Sequence, residues 1–195
     1  IFVLLTPILS GIFLYAFLRE LDLKIYSGIF AGVVFSFSSY MVVWMEYGNV
    51  GHTFLWLPLM LLILEKFIKS QRLIHIICLI IVSAIAFLAG YIQGYFYAVL
   101  VGAIYFLGRS VSLRKLSKRS IMLFLSSLIF PMFLTAFQLL PTFELFQYSS
   151  RGSYTLDQID KLLNPVWYLV TVIVPNFFGH PAARNSWFYG TYIER

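Results

Sequence analysis

Charge is what this chain has least of. Only 11% of its 195 residues are Asp, Glu, Lys or Arg, where a soluble domain carries about 25%. So few charges cannot cover a globule in water, which excludes a freely soluble domain. The single cysteine, Cys78, lies inside an apolar run, so no intrachain disulfide can form and the redox compartment stays unread. No Walker loop, CxxC, HExxH or Ser-His-Asp arrangement occurs, and ATP binding has no recognisable motif. There is neither an initiator Met nor a basic leader. The chain opens at Ile1 in mid-hydrophobic stretch and stops at Arg195 in a polar, aromatic one, which reads as a piece of a longer chain.

What is present points to the membrane. Hydrophobic residues make up 61% of the chain, aromatics 19%, and mean hydropathy is +0.87. A spanning helix needs about 20 mostly apolar residues. Six segments meet or approach this, at 1–18, 25–45, 53–68, 73–90, 93–108 and 120–140, the third and fifth being short. The expected fold is an all-α polytopic bundle of about six spans over residues 1–140, followed by an extracytoplasmic, interfacial segment at 141–195. In lipid the spanning backbone has to be helical.

Cations set the expected orientation. Ten of the 14 lie in three connections: Arg19 and Lys24; Lys66, Lys69 and Arg72; Arg109, Arg114, Lys115, Lys118 and Arg119. The intervening connections "EYGNVGH" (46–52) and "GYIQG" (90–94) hold none. By the positive-inside rule loops 19–24, 65–72 and 109–119 are cytoplasmic, and residues 46–52, 90–94 and 141–195 are extracytoplasmic. That accounts for the net charge of +6 without nucleic acid. "RSVSLRKLSKR" has the composition of an RNA- or lipid-binding tract, but a topogenic loop explains it more simply.

Gly28 and Gly32, with Ser27, Ser36 and Ser39 nearby, predict close helix packing, and Gly90 and Gly94 have the same spacing. Pro58 and Pro131 are expected to bend the third and sixth helices. After Pro141, Thr155 and Gln158 have capping-box spacing. Leu156, Ile159, Leu162 and Leu163 then share one face of a short interfacial helix. "VWYLVTVIV" is too short to cross as a helix.

Chemistry is sought on the outer face, because the basic loops serve orientation. Glu46, Asn49 and His52 lie within seven residues, with Gly48 and Gly51 allowing a tight turn. A carboxylate and an imidazole can act as acid and base or hold a divalent metal. The plain alternative is the wet turn of a hairpin. Tyr91 and Gln93 suit hydrogen bonding to a hydroxylated ligand. Glu144 and Arg151 follow the sixth span, and the Arg151 fork in "YSSRG" suits a phosphate. Solvated loop charge is the plain reading of both.

The order of these motifs resembles the YfhO-like bacterial multi-pass proteins. "LLTPILSGIFLYAFLRELDLKIYSGIFAGVVFSFSSYMVVWMEYGNVGHTFLWLPLMLLILEKFI" is similar to their early helices and "GN..H" turn, and "AGYIQGYFYA" to their "G..Q..Y" turn. "LLPTFELFQYSSRG", and "PNFFG" followed by "YGTYIE", resemble later stretches. The resemblance implies a GT-C type glycosyltransferase, which moves a sugar from a polyprenyl-phosphate donor to an envelope glycan on the outer side of the membrane. It also implies that the principal catalytic carboxylate lies in a loop before residue 1. Glu46 and His52 would then be auxiliary catalytic or metal-binding groups. Asn49, Tyr91, Gln93 and Glu144 would bind substrate, and Arg151 would clamp phosphate. A transporter or lipid flippase is the competing class and predicts ionisable groups deep in the helices; the sequence places its charges at helix ends. A non-catalytic envelope scaffold is the third.

Overall fold

The structure, a computed structural model, describes residues 2–44, 50–148, 166–174 and 177–179. Glu46, Asn49, Arg151 and the amphipathic stretch 156–163 lie outside the described residues. Every helix and turn among those described is helical in type, with no strand. Two compact units divide between Pro141 and Thr142.

The first unit is a bundle of α1 (Phe2–Glu20), α2 (Ile25–Ser36), α3 (Ser39–Trp44), α4 (Val50–Phe54), α5 (Leu57–Ser70), α6 (Leu73–Leu88), α7 (Ile92–Ser112), α8 (Lys118–Leu134) and the start of α9 (Ala136–Gln147). Three stretches are long and apolar enough to cross a membrane: Val3–Glu20, Val50–Ser70 and Ile92–Ser112. A fourth results if α8 and α9, bent by 75° to each other, form one broken span; α2 and α6 are shorter apolar helices. The six expected segments are helical where described, with four changes. The run at 25–45 breaks at Phe37–Ser38. The third segment starts earlier and breaks at Leu55–Trp56, just before Pro58, which occupies the first turn of α5 where its missing N–H costs nothing. The fifth is not short, since α7 covers 21 residues. Pro131 stays inside α8, and the bend falls at Thr135, whose N–H and hydroxyl both donate to the Pro131 carbonyl at 3.0 and 2.8 Å.

Side chains on the outside of the bundle are apolar, as lipid requires: Leu4, Phe30 and Phe133 are each more than 70% exposed. The core lies around α5. Leu64, Phe67 and Ile68 meet Ile76 and Leu79 of α6, Ala98 and Phe106 of α7 and Phe124 of α8. Phe106 and Phe124 stack at 4.4 Å with planes 6° apart.

Without a water-driven force, helices in lipid associate by close fit, and α1 and α2 do this through glycines. A Cβ at Gly32 would sit 2.9 Å from the Gly11 carbonyl oxygen, and one at Gly28 would sit 2.9 Å from the Tyr15 ring. The Ser36 hydroxyl crosses to the Pro7 carbonyl at 2.7 Å and shares its proton with the Gly32 carbonyl at 2.8 Å. Gly32→Val forces backbone apart and is expected to cost about 1–3 kcal/mol. Thermal unfolding in detergent checks this against Gly108→Ala, where nothing lies within 4 Å. Gly90 does not take the packing role its spacing suggested: it has open space around it and φ of 91°, so it is a turn residue.

The three basic connections end their helices in the left-handed region on residues other than glycine: Asp22 (φ 63°), Gln71 (φ 55°) and Arg114 (φ 54°). At the end of α7, Arg114 N–H donates to Val111 and Lys115 N–H to Ser110, the bond pair of a Schellman motif whose left-handed position usually holds glycine. A side chain there costs about 1–2 kcal/mol.

The second unit is described by Thr142–Gln147 of α9, the following Tyr148, and a 3₁₀ helix at Val166–Val172 within the run too short to span.

Candidate functional site

One end of the bundle brings together His52 from the first uncharged stretch and Tyr91 and Gln93 from the second. α4 is a five-residue helix between breaks, packed against α1, α3, α6 and α7. Its His52 is half-buried, with Nδ1 3.1 Å from the Thr6 hydroxyl of α1. Which of the two donates follows the imidazole tautomer; either way the bond fixes the ring and leaves Nε2 the complementary role. Thr6 itself is buried.

Two residues on, Phe54 meets Tyr40 of α3 edge-to-face at 5.1 Å. A Cβ at Gly94 would lie 2.9 Å from the Phe54 ring and 2.4 Å from that of Tyr91. Glycine at 94 is therefore what lets the start of α7 close on α4. This contact joins the two turns, so His52 shares one end of the bundle with Tyr91 and Gln93. The Tyr91 hydroxyl donates to Gln93 Oε1 at 3.4 Å, and Gln93 Nε2 donates to the Tyr97 oxygen at 3.0 Å. Tyr97 extends the pair expected from sequence. Its signal was the i,i+4 spacing from Gln93, which puts both on one helix face.

Glu144 is exposed on α9 and belongs to the second compact unit. Glu46, Asn49 and Arg151, expected to share the site, lie outside the described residues. Among the described residues no group of three or more His, Cys, Asp or Glu gathers to hold a metal.

The far end of α1 and of the Val50–Ser70 stretch, about 20 Å away by helix rise, carries a different cluster. Glu65 was read as part of a basic loop, yet its side chain is 0% exposed. Arg109 reaches it from α7 with Nη2 2.8 Å from Oε1 and Nε 3.0 Å from Oε2, and the Tyr105 hydroxyl donates to Oε2 at 2.7 Å. Lys69 approaches Oε1 at 3.6 Å and pairs with Glu20 of α1 at 3.1 Å, also donating to the Glu20 carbonyl. Two carboxylates and two cations thus balance across α1, α5 and α7. A bidentate Arg fork with a third donor is the geometry that makes a buried carboxylate tolerable. The sequence carried a clue: Phe67 and Ile68 continue the apolar run past Glu65, placing the carboxylate inside a helix that goes on to Ser70.

No curated protein and no solved structure matches this chain. The model of one family does match, described as bacterial membrane protein YfhO and covering residues 1–183. With that coverage, on an all-helical apolar bundle, the chain belongs to the YfhO family of bacterial membrane proteins.

Proposed function

We propose that the protein of which this chain is part is a membrane glycosyltransferase of the bacterial cytoplasmic membrane. It transfers a sugar from a polyprenyl-phosphate donor to an envelope glycan. The basic connections face the cytoplasm, and the His52–Tyr91–Gln93 end faces outward. The observation that carries the reading is the contact of α4, which holds His52, with the start of α7, which holds Gln93 beside Tyr91, at the end of the bundle opposite the ion-paired one. A ring nitrogen of His52 held by Thr6 can accept the proton of an acceptor hydroxyl. Tyr91, Gln93 and Tyr97 offer hydroxyl and amide groups suited to a sugar. Glu46, six positions before His52 in the sequence, supplies an auxiliary carboxylate or, with a divalent ion, a metal ligand. Asn49 and Glu144 add polar contacts to substrate, and Arg151 neutralises the leaving lipid phosphate.

Transport or lipid flipping draws support from the buried Glu65 in the Val50–Ser70 stretch. Its carboxylate is saturated by Arg109 and Tyr105, however, which suits a fixed lock better than a moving proton or ion. The deciding experiment reconstitutes the full-length protein in liposomes with a polyprenyl-phosphate sugar and follows sugar transfer. Glu46→Ala and Arg151→Ala are expected to lose most of the turnover. Undiminished transfer in both variants sinks the assignment, and lipid movement without transfer moves it to the flippase class.

A further inference from the structure

The loop between α7 and α8 carries charge that the bundle does not use. Arg114, Lys115, Lys118 and Arg119 are all exposed, and among the described residues none of the four forms an ion pair or a side-chain hydrogen bond. The contrast with their neighbours is sharp, since Arg109 and Lys69 at the same end are both engaged by carboxylates. Four like charges within six positions repel one another. The segment 109–119 contains no Asp or Glu to offset them.

From this patch we infer that the α7–α8 loop is a docking site for anionic phospholipid headgroups. Charge complementarity is the first argument, since a run of uncompensated cations at a membrane surface attracts acidic lipid. Position is the second: α7 is long and apolar enough to span, and α8 with α9 passes the same test as a bent pair. A loop joining them lies where headgroups are. The third is the apolar content, as Leu113 and Leu116 alternate with the cations and are 36% and 42% exposed. Side chains of that kind enter the acyl boundary while the cations stay at phosphate level. Nucleic acid fits less well, because the segment has no aromatic residue on which a base could stack.

The backbone adds a separate observation. Arg114 holds the left-handed position of the Schellman turn at φ 54°, where glycine would be unstrained. A cation stands where folding alone would favour glycine. The Ser117–Ser120 capping box takes two donors at the start of α8, the N–H groups of Ser117 and Ser120.

Arg114→Gly separates folding from binding, because it relaxes the turn and deletes one cation. The experiment takes the full-length protein in mixed micelles of detergent with phosphatidylglycerol and phosphatidylcholine and reads lipid retention by native mass spectrometry, with thermal unfolding measured in parallel. Expected is selective retention of phosphatidylglycerol by the parent protein, weakened about fivefold in Arg114→Gly. The melting temperature of that variant should be unchanged or higher. Replacing all four cations by Gln should abolish the selectivity, and raised salt should weaken it in the parent. Equal retention of both lipids by the parent overturns the inference, as does selectivity that survives the fourfold replacement, the result for a loop that only sets orientation. Binding of a fluorescent single-stranded RNA without any phosphatidylglycerol preference overturns it in favour of nucleic acid.

Discussion

Arg109→Leu lowers the stability of the bundle by about 3–5 kcal/mol, the cost of leaving a buried charge without its partner. The stranded group is Glu65, 0% exposed, which among the described residues then keeps the Tyr105 hydroxyl and Lys69 at 3.6 Å. The reciprocal change, Glu65→Leu, costs less. Arg109 is 31% exposed, so its guanidinium can turn toward water or headgroups once the carboxylate is gone. The double variant Glu65→Leu/Arg109→Leu falls below Arg109→Leu alone in cost, because two apolar side chains of similar volume replace a pair whose desolvation is expensive. Thermal unfolding of the four proteins in one detergent gives the cycle. If Arg109→Leu behaves like Arg119→Leu, an exposed cation with no ion pair among the described residues, the lock is not holding α5 to α7.

The second large effect concerns activity. His52→Ala is expected to reduce sugar transfer by about 10²-fold or more, the usual contribution of a positioned acid–base group, with little change in unfolding temperature because the ring is only half-buried. Thr6→Val keeps the volume of the buried side chain but removes the hydroxyl 3.1 Å from Nδ1. The ring then loses its orientation, and transfer falls by roughly tenfold within the same range for a group whose geometry is disturbed. Thr6→Ser returns the hydroxyl and most of the rate. Initial rates in liposomes decide it, and full activity of His52→Ala removes the imidazole from the reaction.

Much of this arrangement can be read from residues alone, and the unread parts have physical causes. Apolar runs located most helices of the first unit, because spanning length and hydropathy are local properties, but α4 begins inside the polar stretch 46–52. The interruption at Phe37–Ser38 lies inside a uniformly apolar run, where composition gives no sign of a break. Asp22, Gln71 and Arg114 close their helices at positions where a reader expects glycine, so those ends had no marker. Gly28 and Gly32 were legible as packing residues, but their partners Gly11 and Tyr15 belong to another helix. Glu65 was the largest omission. It sits between Leu64 and Lys66 like any boundary charge, and the residue that buries it is 44 positions away. His52, Tyr91 and Gln93 read from sequence as turn residues, whereas His52 lies in α4 and Gln93 in the first turn of α7. The contact joining their turns runs through Phe54 and Gly94, which carry no chemistry of their own.

The distribution of helix breaks has a mechanical consequence. The described breaks at Phe37–Ser38 and Leu55–Trp56 both lie toward the His52 end, whereas α5 and α7 run unbroken through the ion-paired end. A turn lacks part of the helical backbone ladder, so bending there costs less than bending within a helix. Compliance is therefore graded along the bundle axis, and the Phe67–Phe106–Phe124 stack sits in its stiff half.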